Sequence, residues 1–530
     1  MARLRRSENA NQLLEYLAGG CVFTSSELIE HLKTIGITDD NARQILRRNA
    51  NTKGIWRSDS LRLPKNERLF AQRSIVGTPA FYRAIGLKLG SVRRVGLAQC
   101  LAMLGERCVL HKIDAMRLLA VSPERNHSEP RAYERELPAL KEVGARIVHR
   151  NTPLESIIGP TVVDQEDIDA LAMHASASVR REALLARVLV ETLRRQNMVS
   201  WNRVEFPDSQ NKYTIFNDHV FSTWGFSYLS PLVRWQHGQS KPVPCPVLID
   251  VYGEQCHLPQ VESFHQRIQR ATSRGRSTQR SLGVIAAKNF RPDAWTFARE
   301  KGLMSISFRQ VFGDEALEAM THVEELLHGL STGQQQAEFQ DMFEKFSDIL
   351  NDLKVNPVVS TLRSIGLEAL TGMILASCGY QSIEIGRIVP WEQTRRDVDV
   401  FGFLGDELRI VECKAYHRHK SLLPEDVTKF FSQTVPATKR WLSKCESRFT
   451  RCRAEIWTTG PVGERGEDEL SDLKKKMPKN DEWHLLHGDK IRDLAPQRIK
   501  QRSSELIDAI RLERTIQPSD DFSGEPRPWF

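Results

Sequence analysis

The sequence predicts a multidomain protein of α/β and α+β class, with small helical modules first and two α/β domains of one pattern after them. Three observations predict this. The chain has 530 residues, more than one hydrophobic core usually supports. Apolar residues recur at helical spacing to about residue 150, after which strand-like and helix-like runs alternate. Two later segments also parallel each other. Ile249-Asp250-Val251-Tyr252 leads into Leu258-Pro259-Gln260-Val261-Glu262, and Val411-Glu412-Cys413-Lys414 leads into Leu423-Pro424-Glu425-Asp426-Val427.

Composition narrows the class. With 40% hydrophobic and 27% charged residues, most of the chain should fold. No run approaches eighteen consecutive apolar residues, and Met1-Ala2-Arg3-Leu4-Arg5-Arg6 opens no signal-peptide core, so a soluble cytoplasmic protein without membrane contact is expected. The nine cysteines form no CxxC pair, which argues against a disulfide framework and a structural zinc. Gly460-Pro461-Val462-Gly463 has neither the spacing nor the lysine of a phosphate loop, and ATP is not implied.

The net charge of +8 permits a polyanionic partner, and its distribution sharpens the point. Arg43, Arg47, Arg48, Lys53, Arg57, Arg62, Lys65, Arg68 and Arg73 face only Asp59 and Glu67 in the same stretch. Here 8–18 reads as a helix, Thr24-Ser25-Ser26-Glu27 as a capping box opening a second, and Thr38 as the N-cap of a third. Extended Gly54-Ile55-Trp56-Arg57 and Leu61-Arg62-Leu63 follow. Residues 1–75 thus resemble a winged helix-turn-helix. That resemblance implies DNA contact by Arg43, Arg47 and Arg48 on the third helix and by Arg57 and Arg62 on the wing. The alternative is a helical interaction domain with a solvated basic face. Residues 76–153 read as a second helical or winged-helix-like module, with helices at 91–104, 110–120 and 130–143, the last interrupted by Pro138, and a wing strand at Arg146-Ile147-Val148-His149; the same helices would suit a small helical bundle. The stretch 152–175 reads as a linker, 176–330 as the first α/β domain, 331–356 as a connecting helix, 357–510 as the second α/β domain and 511–530 as a tail.

The chemistry concentrates in the second α/β domain. Asp397-Val398-Asp399-Val400-Phe401-Gly402-Phe403-Leu404 and Glu407-Leu408-Arg409-Ile410-Val411-Glu412-Cys413-Lys414 flank Gly405-Asp406, a two-residue hairpin turn. About that turn Asp399 faces Glu412, Asp397 faces Lys414, and all four side chains share one sheet face. Opposed carboxylates repel unless a cation lies between them, and a hard divalent ion suits the place. The alternative is a solvated hairpin with a surface ion pair.

A helix bearing Glu368, then Asp399, then Glu412-x-Lys414 on a hairpin resembles the PD-(D/E)XK restriction-endonuclease-like superfamily over residues 360–490. The resemblance implies a metal-dependent endodeoxyribonuclease in which Asp399, Glu412 and Glu368 hold Mg²⁺, with Mn²⁺ able to substitute, and Lys414 acts on the nucleophilic water. The later part of the first α/β domain, Gly283-Val284-Ile285-Ala286 with Phe290, Ala294 and Gly302, resembles the Mrr-type members. That domain reads as a degenerate copy retained for DNA binding, dimerisation or structure, because Asp250 stands where Glu412 does, Tyr252 replaces the lysine, and no aspartate partner is evident near Phe226-Ser227-Tyr228-Leu229; an unrelated α/β domain is the alternative. Arg267, Arg270, Arg274, Arg276 and Arg280 could serve a nucleic-acid backbone there, or line a solvated loop. Restriction or defence against foreign DNA is the implied setting, with a homodimer or a larger defence assembly as partner. A repair or recombination nuclease acting on branched DNA, and a DNA-binding regulator or structural subunit keeping a nuclease-like scaffold, are the alternatives.

Overall fold

A computed structural model describes residues 11–508, except 19–21, 51–53, 62, 91–93, 120–130, 149–155, 202, 208–212, 230–231, 234–241, 275–276, 279, 333–358, 392–393, 417–418, 446–448, 496–499, 501–502 and 505–506. The expected connecting helix at 331–356, for all but its first residues, and the tail at 511–530 lie outside these. The protein is a mixed α/β molecule with several sheets. It divides into two compact units. The first holds Met1–Ala186, Gln196–Pro207 and Asn211–Ser307; the second holds Arg187–Arg195, Asp208–Gln210 and Phe308–Phe530.

The first unit opens with α1 (11–18), β1 (Phe23–Thr24), α2 (Ser25–Thr34), α3 (Asp39–Asn49), β2 (Ile55–Arg57) and β3 (Leu69–Gln72). The capping box forms: Thr24 Oγ1 accepts from Glu27 N at 3.2 Å, and Thr24 N donates to Glu27 Oε2 at 2.8 Å. Leu13, Leu17, Leu28, Leu32, Ala42, Leu46, Ile55 and Phe70 close a small core. The strands pair in the order β1-β3-β2, all antiparallel. The strand that pairs with Ile55–Arg57 is therefore Leu69–Gln72, not the expected Leu61–Leu63. Leu61 and Leu63 are buried like strand residues, but Lys65 and Asn66 take positive φ in the turn after Pro64 and end any ladder there.

After α4 (Pro79–Gly90) the same order recurs: α5 (Val95–Arg107), β4 (Leu110–His111), α6 (Lys112–Leu118), α7 (Arg131–Glu142), β5 (Ala145–Val148) and β6 (Ile157–Pro160), with sheet order β4-β6-β5. Two expectations change here. The segment taken for a linker supplies β6, which pairs with β4 and β5 and so completes the module. Pro138 lies inside a continuous α7 rather than interrupting it. Glu142 fastens the two modules together: its carboxylate accepts from the Asp59 and Ser60 amides, and its carbonyl accepts from Trp56 Nε1 at 3.2 Å.

Helix α8 (Gln165–Arg195) leads into the first large sheet. Its surroundings are β7 (Val204–Glu205), β8 (Thr214–Phe216), β9 (His219–Phe221), β10 (Thr223–Ser227), β11 (Cys245–Cys256), α9 (Leu258–Thr272), the short pair β12 (Ser273–Arg274) and β13 (Ser277–Thr278), β14 (Leu282–Phe290), α10 (Pro292–Glu300) and β15 (Met304–Ser307). The sheet order is β7-β10-β11-β14-β15, antiparallel as far as β11 and parallel beyond it.

The second unit begins with α11 (Phe308–Phe312) and α12 (Asp314–Thr332), which the sequence pattern had put with the preceding domain. There follow α13 (Val359–Ser377), β16 (Gln381–Trp391), β17 (Thr394–Leu404), β18 (Glu407–Lys414), α14 (Pro424–Lys429), a π-helical turn (Phe430–Thr434), α15 (Val435–Lys444), β19 (Arg451–Thr458), α16 (Glu464–Lys474), β20 (Asp481–His487) and α17 (Gly488–Leu494). The π turn precedes Pro436, whose ring crowds the carbonyl of Ser432 and whose nitrogen has no hydrogen to donate, so the helix widens before it. The order is β16-β17-β18-β19-β20, antiparallel to β18 and parallel beyond, matching the first sheet strand for strand. Helix α13 is long and apolar enough to cross a membrane, but every residue from Ile365 to Leu375 is buried inside this unit, which accounts for its composition.

Candidate active site

Gly405 at φ +60° makes the predicted turn, and the register about it is Phe401↔Ile410 and Val400↔Val411, as the strand alternation required. Beyond Val400 the ladder with β18 stops, while β18 continues to pair with β19 through Lys414↔Thr458. Asp399 therefore stands where β17 and β18 part. Its Oδ2 accepts the Cys413 amide at 2.6 Å, which fixes the carboxylate beside Glu412.

Lys414 Nζ lies 2.9 Å from Glu412 Oε1 and 3.7 Å from Asp426 Oδ1, a residue in the first turn of α14. Asp426 is itself held, since its Oδ2 accepts the Tyr416 hydroxyl at 2.9 Å. The expected Asp397–Lys414 pairing does not form. Asp397 pairs across to Ile388 of β16, and its Oδ2 takes Arg187 Nη2 at 3.1 Å. The cause is the early end of the β17–β18 ladder, which leaves Lys414 to α14.

Glu368 sits in the buried stretch of α13, and its Oε2 accepts no hydrogen bond, with Arg187 Nη1 at 3.7 Å. Burial pushes the Glu368 carboxyl up to about 7, against the opposing pull of Arg187. Burial, followed by the Glu412, Glu368 and Asp397 charges, holds Asp399 well above the usual aspartate range. Lys414 is raised above the ordinary lysine value, because Glu412, Asp399 and Asp426 outweigh its burial. The fold thus brings Asp399, Glu412, Lys414 and Glu368 within electrostatic reach of one another, and adds Arg187, Asp397 and Asp426.

Among the described residues no three His, Cys, Asp or Glu side chains converge as a group able to hold a metal ion. The acidic groups are instead parted and held singly, by the Cys413 amide, Lys414 and Arg187. As donors they still fit a hard divalent cation: all are carboxylates, and the buried, unbonded Glu368 Oε2 is the kind of atom such an ion satisfies.

The equivalent place in the first sheet is built differently. The β10–β11 register puts Ser222, not an aspartate, opposite Asp250, just before the Thr223↔Ile249 pair. Asp250 is fully buried and fully partnered. Ser222 N donates to Oδ1 at 3.1 Å, the Tyr252 hydroxyl to Oδ2 at 3.1 Å, and Arg267 bonds both oxygens. Arg267 is completely enclosed, so it is not available to a nucleic-acid backbone, whereas Arg270 and Arg280 are exposed. Arg276 lies outside the described residues, and nothing is described for the Arg274 side chain.

On the first module, Arg43, Arg47 and Arg48 project from α3 and are exposed, with Arg43 Nε 2.7 Å from Asp39 one turn back. Arg57 Nη2 reaches Asp59 at 2.6 Å, and Arg62 lies outside the described residues.

Sequence reasoning missed Arg187 and Asp426. Nothing local marks Arg187, which reaches the site from α8. Asp426 carried a usable signal, an acidic residue in the first turn of the helix that follows the Glu-x-Lys strand.

No protein-family model matches the chain, and no curated protein matches it. Solved structures give loose likenesses. The crystal structure of AF1548, a protein of unknown function, covers 27% of this chain and 94% of its own at 11% identity and a TM-score of 0.17. That of VC1899 from Vibrio cholerae covers 47% and 82% at 11% identity and 0.20. That of Can2 from Sulfobacillus thermosulfidooxidans, in complex with cyclic tetra-adenylate, covers 47% and 81% at 12% identity and 0.20. Superpositions this loose carry no residue roles to this chain.

Proposed function

We propose that the second unit is a metal-dependent endodeoxyribonuclease of the PD-(D/E)XK kind, serving restriction or defence against foreign DNA, with the first two modules acting as winged-helix DNA contacts. The observation that carries the reading is the meeting of Asp399, Glu412 and Lys414 where β17 and β18 part, beside a buried Glu368 with one unsatisfied oxygen. Hydrolysis adds a water oxygen to phosphorus as the bond to the leaving oxygen breaks, giving a phosphate monoester and an alcohol.

Asp399, Glu412 and Glu368 would hold Mg²⁺ or Mn²⁺, which would supply a Lewis acid for the phosphodiester and a more acidic water. The chain's own residues do the rest. The Lys414 ammonium, positioned by Glu412 and Asp426, stabilises negative charge developing at the attacked phosphorus. The Cys413 amide orients Asp399. Exposed Arg47 and Arg48 on α3 offer sequence-independent attraction to phosphates.

A second reading, a DNA-binding scaffold without catalysis, is favoured by one observation: Arg187 already neutralises part of the acidic site. Incubating the full chain with duplex, single-stranded and branched DNA and with RNA, in Mg²⁺ or Mn²⁺ and in EDTA, separates the two. Metal-dependent cutting of any of these supports the nuclease. Binding without cutting under every metal condition supports the scaffold.

A further inference from the structure

A guanidinium stands at the acidic site, beside Glu368 and Asp397. Arg187 is contributed by α8, far upstream of the strands it meets. Its Nη2 is 3.1 Å from Asp397 Oδ2, a hydrogen bond, while its Nη1 is 3.7 Å from Glu368 Oε2, too long for one. That Glu368 oxygen is buried and accepts no hydrogen bond. The carboxylate is therefore neutralised at close range by a charge that does not satisfy it.

Room for this side chain is built into β16. Gly386 lies between Ile385 and Arg387, whose partners on β17 are Val400 and Val398, so it stands opposite Asp399. It takes φ +66°, and a Cβ there would come 3.2 Å from Arg187 Nη1. A glycine at this position leaves the guanidinium its space.

The first sheet shows what a permanent arrangement looks like. Arg267 and Asp250 are both fully enclosed and joined through both carboxylate oxygens. Arg187 differs on each point, since its side chain is 32% exposed and its contact with Glu368 is long. One arginine is sealed against its carboxylate; the other is not.

We infer that Arg187 is an exchangeable counter-cation of the active site, which holds Glu368 and Asp397 in the metal-free chain and yields Glu368 to the incoming divalent ion. This rests on reading the site as a metal site. Arginine suits the role, since it stays charged at any working pH and spans two carboxylates with one planar group. Because both cations draw on the same carboxylate, the resident one sets the affinity of the other.

The test is calorimetric titration of Mn²⁺ into the full-length protein as wild type, Arg187→Gln, Arg187→Lys, Arg195→Gln and Asp399→Asn, with thermal unfolding of each to establish folding. Arg195 lies on the same helix beside Glu191 and controls for general loss of charge. Arg187→Gln should bind about tenfold tighter or more, a shift that removing one near charge from a partly solvated site can produce. Arg187→Lys should fall between it and wild type, and Arg195→Gln should match wild type. If Arg187→Gln fails to fold, Arg187→Lys decides, and it should still bind more tightly than wild type.

Binding that Asp399→Asn loses but that Arg187→Gln leaves unchanged or weakens would overturn the role of Arg187 alone. Equal tightening by Arg195→Gln would also overturn it. Absence of binding in both wild type and Arg187→Gln would overturn the metal site and the inference together. Binding in Arg187→Gln with none in wild type would be its strongest support.

Discussion

Lys414 and Asp426 meet at 3.7 Å from two different elements, the end of β18 and the first turn of α14. With Glu412 at 2.9 Å on the other side, the ammonium is held between two carboxylates, one of them anchored by Tyr416. Its charge is fixed in place before any substrate arrives.

Removing Lys414 should therefore do more than removing its support. Lys414→Ala is expected to lower turnover by about 10²–10⁴, and Asp426→Asn by roughly tenfold, each with substrate KM little changed. Steady-state cleavage kinetics check both. An Asp426→Asn effect confined to KM would contradict the positioning role.

The raised carboxyls set the pH response. Glu368 has a folded value of about 7, above its unfolded value, so burial costs stability as pH rises from roughly 4.5 to 7 and the full cost stands above that window. Glu368→Gln should then be the more stable protein at pH 8, by on the order of 2 kcal/mol, and should lose that advantage near pH 4. Metal binding and cleavage should rise with pH through about 7 as Glu368 gives up its proton. Thermal melts and cleavage rates across pH 5–9 measure these trends, and a flat rate profile would contradict them.

In the first sheet, Asp250 belongs to structure. Arg267→Ala leaves a buried carboxylate with part of its partnership gone and should cost about 3–5 kcal/mol, read by denaturant unfolding. Tyr252→Lys should create no cleavage activity, because Ser222 still stands in the place of the missing aspartate. Cleavage by a Tyr252→Lys, Asp399→Asn double variant would contradict this.

The basic face of α3 gives a salt-dependent expectation. Arg47→Ala and Arg48→Ala should each weaken DNA binding at every sequence and lower the slope of log affinity against log salt by about one. Glu142→Ala frees the exposed Asp59 and Ser60 amides to water and should destabilise the first unit by about 0.5–1.5 kcal/mol. Fluorescence anisotropy between roughly 50 and 200 mM salt, with thermal melts, tests both.

What could be read in advance was local. The Gly405 turn, the register beside it as far as Val400 and Val411, and the capping box at Thr24 depend on neighbours in sequence, and each formed as expected. That Asp399, Glu412 and Lys414 come together was legible for the same reason. Leu61 and Leu63 misled, because burial under the second module gives the alternation of a strand without its ladder. Ile157 and Ile158 of β6 were lost among prolines and glycines, and β16 went unassigned although Ile383, Ile385 and Val389 alternate. Arg187 lay beyond reach, since only the tertiary fold brings α8 to Glu368 and Asp397.

The most direct measurement is nicking of supercoiled plasmid and cutting of linear duplex by purified wild type, Asp399→Asn and Glu412→Gln, in Mg²⁺, Mn²⁺ and EDTA. The wild type should cleave only with the metal present, and EDTA or either substitution should abolish cleavage. Cleavage that persists equally in all three proteins, or in EDTA, would contradict it.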